Sequence, residues 1–437
     1  MRKNNENPII KRIAVKAECS FASPALIGSG LSENTDSDIL RDIDDNAFLP
    51  GSTVAGVLRE TVSDAQILFG EKNISPLWVF DAELTDSNNR PAEVIELDGV
   101  EIDKVNKTAI ESRKYDFEAI ETGSKFTLRF LLTIRHKDCL KDFEDSLETI
   151  VSALKSGYVA FGAKTRRGFG AVKCSSAVKR EFDLTNGNIT SLNEWIDFEW
   201  DKGVWDCVDG GIFCDKAESI TVKLSLTGSI MIRDTRNIYD DIPDTGITPD
   251  YKHISSNGEP VIYGTSWAGA FRSGLYRLLE RAYPGKAKGY LDSVFGYVYE
   301  KNKAGMEEAE PSKIIFESSF LKKSNARVNG YRSVTRVKID RFTGGAADSA
   351  LFTEMPWYGG ETTLRIRYTK GRADIRELIQ LGLDGLDKGI IQIGGESSVG
   401  RGFFKVLEVS GAAKSVSGPK LELKAALEKS VIGGVQE

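Results

Sequence analysis

The chain has 437 residues, with 58 Lys+Arg against 64 Asp+Glu, a formal net charge of −6, and 41% hydrophobic residues. This composition excludes a disordered or low-complexity chain, and the length exceeds the ~100–150 residues of a typical domain, so two or three compact units are expected. No apolar run reaches the ~20 residues that span a bilayer, and the opening MRKNNENPIIKRIAVKAE lacks an apolar secretory core, so a cytoplasmic protein with no membrane partner is expected.

From the start of the chain, IAVKAE from Ile13 alternates as a strand, and a long polar segment follows. GSTVAGVLRETVSDAQILFG, from Gly51, places small residues at a helix start and apolar ones at helical spacing. Short β-rich runs around Phe80 lead to VEIDK with Asp103, then an aromatic-acidic strand and an Arg-bearing strand, FTLRFLLTI. CLKDFEDSLETIVSALKSGY reads as an amphipathic helix, and the Gly-rich KTRRGFGAVK closes the series.

The series then repeats. ITVKLS from Ile220 answers Ile13; YGTSWAGAFRS from Tyr263 answers PGSTVAGVLRE from Pro50, with Gly51, Gly56 and Arg59 recurring as Gly264, Gly269 and Arg272. VFG at Gly296 answers LFG at Gly70, IIFESSF around Phe316 answers WVFDAEL around Phe80, and VKIDR with Asp340 answers VEIDK with Asp103. SSVGRGFFKV with Gly402 answers KTRRGFGAVK, pairing Gly402 with Gly168. Collinear recurrence of weak matches is the mark of a duplicated module, and the spacing widens as loops of the second copy lengthen.

The expected fold class is α+β: two tandem ferredoxin-like, RRM-like βαββαβ modules with long loop or thumb insertions. The first spans 1–180, a linker spans 181–217, the second module spans 218–412, and 413–437 is a polar tail, either a final helix or frayed.

Chemistry concentrates in two places per copy. In FGAKTRRGFG, Lys164, Arg166 and Arg167 lie among glycines that include Gly168, so backbone N–H groups and cations converge as they would on a phosphate. In SSVGRG, Arg401 takes the equivalent place, with Ser397 and Ser398 replacing much of the charge, so the first copy is expected to depend more on salt. A turn with solvated charges is the plain alternative. The loop before each helix is acidic: ENTDSDILRDIDDNAFLPGS in the first copy, IRDTRNIYDDIPDTGITPDYKHISSNGEPVIYGTS in the second.

Other chemistries find little support. Cys19, Cys139, Cys174, Cys207 and Cys214 are odd in number and never form C-x-x-C, so neither a disulfide framework nor a zinc site is expected, and reduced, mostly buried thiols are. Only His136 and His253 are present, too few for a His-based general acid–base nuclease, and no phosphate-loop, HExxH or GxSxG motif occurs.

These residues resemble the RAMP superfamily, the repeat-associated proteins of CRISPR systems. The Gly-rich closes look like that family's signature loop; PGST-x-x-G-x-x-R resembles the PGSS-x-x-G-x-x-R of its type III backbone subunits, and VKIDRFTGGAADSALF resembles their I-D-R-x-T-G-x-A run. A double module looks like the fused backbone subunit of type III-D effectors. The resemblance implies a ribonucleoprotein subunit of antiviral defence that binds guide crRNA beside other type III CRISPR effector subunits and pushes a thumb between guide and target RNA. It implies RNA contacts at Ser52, Arg59, Thr265, Ser266 and Arg272 together with the Gly-rich closes, and the irregular stretches before and after each I-D strand, such as Thr85 to Asp98 and Phe320 to Tyr331, are thumb candidates.

It further implies an endoribonuclease acting with a divalent cation, Mg2+ or Mn2+. The family's G-G-x-D-x-x-V-I-R-D pattern assigns the catalytic, metal-binding aspartate to Asp36, with Asp38 as fallback, although the usual glycines are absent. In the second copy spacing favours Asp250, with Asp244 and Asp241 behind it. A non-catalytic crRNA scaffold and a stand-alone RNA-binding protein remain alternatives.

Overall fold

The computed structural model describes residues 7–30, 32, 35–62, 65–70, 74–102, 109–185, 188–210, 213, 216–234, 249–298, 309–324, 329–411 and 421–429. The chain is mixed α+β, and nearly all its strand pairs are antiparallel. It divides into two compact units: 1–96, 116–165 and 169–215 form one, and 97–115, 166–168 and 216–437 form the other.

In the first unit the sheet runs, in neighbour order, Leu77–Val79, Lys125–Arg135, Ile9–Phe21, Val172–Asp183 and Asp206–Cys207. Alternation decides which side chains go inward. Ile13, Val15 and Ala17 point to one face and pack with Val54 and Leu58 of the Gly51–Arg59 helix and with Phe143, Leu147 and Ile150 of the Leu140–Lys155 helix. Each such buried aliphatic or phenyl group contributes roughly 1.5–3 kcal/mol relative to exposure.

The opposite face carries Arg12, Ala14, Lys16, Arg129, Leu131 and Phe182, and it is covered by the stretch expected to be a linker. Segment 181–217 finishes one strand, forms the helix Ile189–Ile196 capped by Asn188, and lays Trp195, Phe198, Trp200 and Trp205 on Ala14, Leu131 and Phe182. Arg12 stands 4.4 Å from the Trp195 ring centroid and Lys16 4.5 Å from that of Trp205, so cations and rings interleave. Its residues up to 210 are thus an integral layer of the first unit, while Ala217 opens a strand of the second.

In the second unit the sheet order is Ile314–Phe316, Glu361–Thr369, Ala217–Thr227 and Phe403–Gly411. Its core joins Val222 and Leu224 to Trp267 and Phe271 of the Gly264–Ala282 helix and to Ile375, Leu378 and Leu383 of the Ala373–Asp387 helix. In the expected tail, Leu421–Lys429 is a helix that buries Leu423 and Leu427 in this core, and the Leu423 N–H donates to Glu377 Oε2 at 2.8 Å.

The registers correct the alignment of the copies in two places. Val15 pairs with Phe130 as Ile220 pairs with Ile366, and a bulge falls between Glu18 and Cys19 as one falls between Lys223 and Leu224. Ile220 therefore answers Val15, two residues beyond Ile13. Likewise Val79, against Phe130, answers Phe316, against Ile366.

The I-D strands are arms of long hairpins. Val334–Ile339 pairs with Ala346–Met355, and Val94–Ile102 pairs with Ala109–Ile120; the stretch Thr85 to Asp98 runs into the first arm of one hairpin, and Phe320 to Tyr331 precedes the other. Asp340 shapes one hairpin turn by accepting N–H bonds from Phe342 at 2.9 Å and Thr343 at 2.7 Å, leaving Phe342 fully exposed at the tip. Asp103 lies outside the described residues. Of the cysteines described, Cys19 is buried and Cys174 half-buried, but Cys139 and Cys207 are exposed, because they sit just before a helix and on an edge strand. Among the described residues no helix is long and apolar enough to cross a membrane.

Candidate functional site

In the first unit, the segment leaving the first strand runs between the two loops singled out for chemistry. On one side the Ala163 N–H donates to Leu26 O at 2.8 Å and Gly170 N–H to Pro24 O at 2.8 Å; on the other, Leu40 N–H donates to Ile27 O at 2.7 Å. The second unit repeats the pattern: Gly395 N–H to Met231 O at 2.8 Å, Gly402 N–H to Ser229 O at 2.8 Å, and Ile254 N–H to Ile232 O at 2.8 Å. Backbone hydrogen bonds that must be satisfied thus fix an acidic loop and a Gly-rich close on either side of one extended segment.

Within the acidic loops the aspartates have distinct tasks. Asp36 is exposed and linked reciprocally to Asp116: its N–H donates to Asp116 Oδ1 at 3.0 Å, and the Asp116 N–H donates to Asp36 Oδ2 at 3.1 Å. Asp250, also exposed, does the same with a different side chain opposite: the Thr353 N–H donates to Asp250 Oδ2 at 2.7 Å and the Asp250 N–H to Thr353 O at 2.8 Å. Asp36 and Asp250 therefore occupy matching places, each docked on the strand before the Arg-bearing strand. Asp38 is buried, and its Oδ1 accepts from Thr35 N–H at 2.9 Å and Thr35 Oγ1 at 2.8 Å, so it shapes the loop. Asp244 and Asp241 lie outside the described residues.

The Gly-rich closes match in a register two residues from the expected one. Phe161 N–H donates to Gly170 O as Ile393 N–H donates to Gly402 O, both at 2.9 Å. Gly170 answers Gly402, which brings Lys164 onto Glu396 and Phe169 onto Arg401. Lys164 and Glu396 share the left-handed backbone, φ 57° and 60°.

The same three positions are filled by opposite chemistries. In the first close the Lys164 ammonium lies 3.2 Å from the Phe117 ring centroid, and Phe117 meets Phe169 edge-on at 5.7 Å. In the second, Arg401 is 3% exposed, pairs with Glu354 at 2.7 Å, and also pairs with Glu396. Burial foremost, then a hydrogen bond with Glu354, raises the Glu396 carboxyl above its usual range, with Arg401 opposing. Arg401 is thus committed internally and does not present its guanidinium as Arg166 and Arg167 do, which are exposed on the single turn Thr165–Arg167. Gly168 is buried, Ser397 half-buried and Ser398 exposed.

At the helix starts, Ser52 and Thr265 are exposed and Ser266 half-buried; Gly51 N–H donates to Asp81 Oδ1 at 2.7 Å and Gly264 N–H to Ser318 Oγ at 3.4 Å, an equivalent anchor in each unit. Arg59 is exposed and reaches Gly70 O at 3.4 Å, whereas Arg272 is paired with Asp292. His253 is fully buried; its Nδ1 accepts the Ile232 N–H at 3.0 Å, Nε2 has no partner, and burial pushes its pKa down to about 3. A neutral, sealed imidazole supplies no general acid, and His136 is exposed just past a strand end.

Residues 18–173 and 242–405 match the family profile of the RAMP superfamily. The chain belongs to the RAMP superfamily. The match embraces both acidic-loop contacts and both Gly-rich closes of this RAMP protein, which family membership places among the repeat-associated proteins of CRISPR systems. No curated protein matches the chain.

The sequence reading did not single out Asp116, Glu118, Phe117 or Glu354. Glu118 braces the acidic loop of this RAMP protein, accepting from Ile39 N–H at 3.0 Å and from Arg41 at 2.8 Å. The signal was present in the aromatic-acidic KYDFEA, but only the docking of the loop onto that strand gives it meaning.

Proposed function

We propose that this RAMP protein is a fused double backbone subunit of a type III CRISPR interference complex, type III-D-like, that binds guide crRNA and cleaves paired target RNA. Each unit reads as a ferredoxin-like βαββαβ module, with a long hairpin as its thumb. The observation that carries the cleavage reading is the matched placement of Asp36 and Asp250, exposed carboxylates fixed on equivalent strands beside a Gly-rich close.

The Gly-rich close and helix start would hold the RNA backbone through N–H groups, hydroxyls and, in the first copy, Lys164, Arg166 and Arg167. With the phosphate so fixed, the loop carboxylate orients the ribose 2′-hydroxyl toward the adjacent phosphorus, and the gain is largely one of positioning. The residues fit a hard divalent cation such as Mg2+ or Mn2+: Asp36 and Asp116 are exposed neighbours, each carboxylate accepting the other's N–H, and such ions are commonly held by one or two carboxylates plus water and phosphate. When bound, the ion would neutralise phosphate charge. In the second unit Asp250 has Thr353 opposite, one carboxylate fewer, and among the described residues no three potential ligands converge.

The test is target cleavage by the reconstituted complex carrying Asp36→Ala and Asp250→Ala. Loss of cuts with retained crRNA is expected. Retention of every cut by the double variant would refute the catalytic assignment and leave the non-catalytic scaffold. A purified chain that associates with neither small RNA nor other effector subunits would leave only a stand-alone RNA-binding role.

A further inference from the structure

Cys19 and Cys174 face each other directly across two antiparallel strands, Ile9–Phe21 and Val172–Asp183, at the residue where the ladder bulges. Directly opposed residues of an antiparallel pair have Cα atoms ~4.5–5.5 Å apart, inside the ~4.4–6.8 Å window of a disulfide. Both side chains join the same core cluster, and the Cys174 thiol donates to Ser176 O at 3.4 Å. Both are free thiols.

The second unit provides an internal comparison. The same bulge falls between Lys223 and Leu224, and Leu224 pairs with Val406 where Cys19 pairs with Cys174. Two ordinary aliphatic residues satisfy the fold at this position, so packing alone does not call for two sulfurs there. We propose that Cys19 and Cys174 form a reversible dithiol–disulfide modification site, oxidised by peroxides, that staples the first strand to the strand emerging from the Gly-rich close.

The environment assigns the roles. Cys174 is half-buried and so meets the oxidant, while Cys19 is buried behind it. The neighbouring Cys19 and the nearby Lys155 charge favour the Cys174 thiolate, against burial, and the Cys19 thiol is pushed up by the neighbouring Cys174 and by burial. The Cys174 thiolate attacks one oxygen of hydrogen peroxide; an S–O bond forms, the O–O bond breaks, and hydroxide leaves to take up a proton as water. The Cys19 sulfur, giving up its proton, then attacks the Cys174 sulfur; the S–S bond forms and the S–O bond breaks with loss of a second water. Two thiols are oxidised by two electrons and one peroxide is reduced to two waters.

The experiment treats the reduced full-length chain with a small excess of hydrogen peroxide, alkylates free thiols, and maps the peptides. A Cys19–Cys174 linked peptide is expected, with denatured-state thiols falling from five to three and dithiothreitol restoring five. Cys139→Ser/Cys207→Ser should still form the link, and Cys174→Val, which installs the residue of the second unit, should fold and form none. Oxidation that instead begins at Cys139 or Cys207, or a Cys174 that stops at the sulfinic acid with Cys19 still free, overturns the proposal.

Discussion

His253 shows how a residue next to the candidate site acts through burial. Its imidazole accepts the Ile232 N–H on the segment that separates the acidic loop from the Gly-rich close, and burial holds its pKa near 3, well below the 6.5 of an exposed histidine. The unfolded chain takes up a proton at this residue below pH 6.5 while the folded chain does not. Its presence therefore costs nothing above that pH, and it lowers stability by about 1.4 kcal/mol per pH unit as pH falls from 6.5 toward 3. From about pH 7 to 5 this one group should remove about 2 kcal/mol. His253→Asn, whose Oδ1 replaces Nδ1 as acceptor, should flatten that loss, as read from denaturant midpoints at the two pH values. An equal pH dependence in the variant would show that the imidazole is not sealed.

Among the elements, the Gly-rich closes depend on glycine at one position above others. A Cβ at Gly170 would lie 1.9 Å from Phe161 O, and one at Gly402 would lie 2.0 Å from Ile393 O, each the carbonyl of the residue whose N–H donates to that glycine. Gly400, also at positive φ, has open space around its added Cβ. Gly400→Ala should therefore cost roughly 1–2 kcal/mol, the left-handed penalty alone. Gly402→Ala should cost distinctly more because backbone must move; comparable chemical-denaturation midpoints for the two would contradict this reading. The need for glycine is local, and so the closes were legible in the sequence. Their register was not, because G-x-G offers two alignments and only the Ile393–Gly402 and Phe161–Gly170 bonds decide between them. The first strands misaligned for a kindred reason: a two-residue slip from Val15 to Ile13 preserves the in-and-out alternation. The pairing of each I-D strand with the strand after it was not legible because Val337 and Ile339 look like core strand residues yet are exposed, and the aromatic layer within 181–217 was not because nothing in the second copy repeats it.

At the scale of the whole molecule, a net charge of −6 makes the placement of cations more telling than their number. The duplication put two Gly-rich closes in one chain, and their electrostatics then diverged: Lys164, Arg166 and Arg167 belong to the first, while the second has Glu396 at the position of Lys164 and encloses its one arginine between Glu354 and Glu396. If RNA phosphate lies on both, only the first releases counterions on binding, and each phosphate neutralised on a single strand contributes about 0.7 to the slope of log K against log salt. Alanine at Lys164, Arg166 and Arg167 together should lower the magnitude of that slope by about 2. Ser397→Ala/Ser398→Ala should weaken binding with the slope unchanged, since a hydroxyl hydrogen bond displaces no ion. Fluorescence anisotropy of a labelled single-stranded RNA across a salt series, using the assembled complex or the full chain, separates the two. Equal slope changes for the two variants would mean that the cations of the first close serve only as solvated charges.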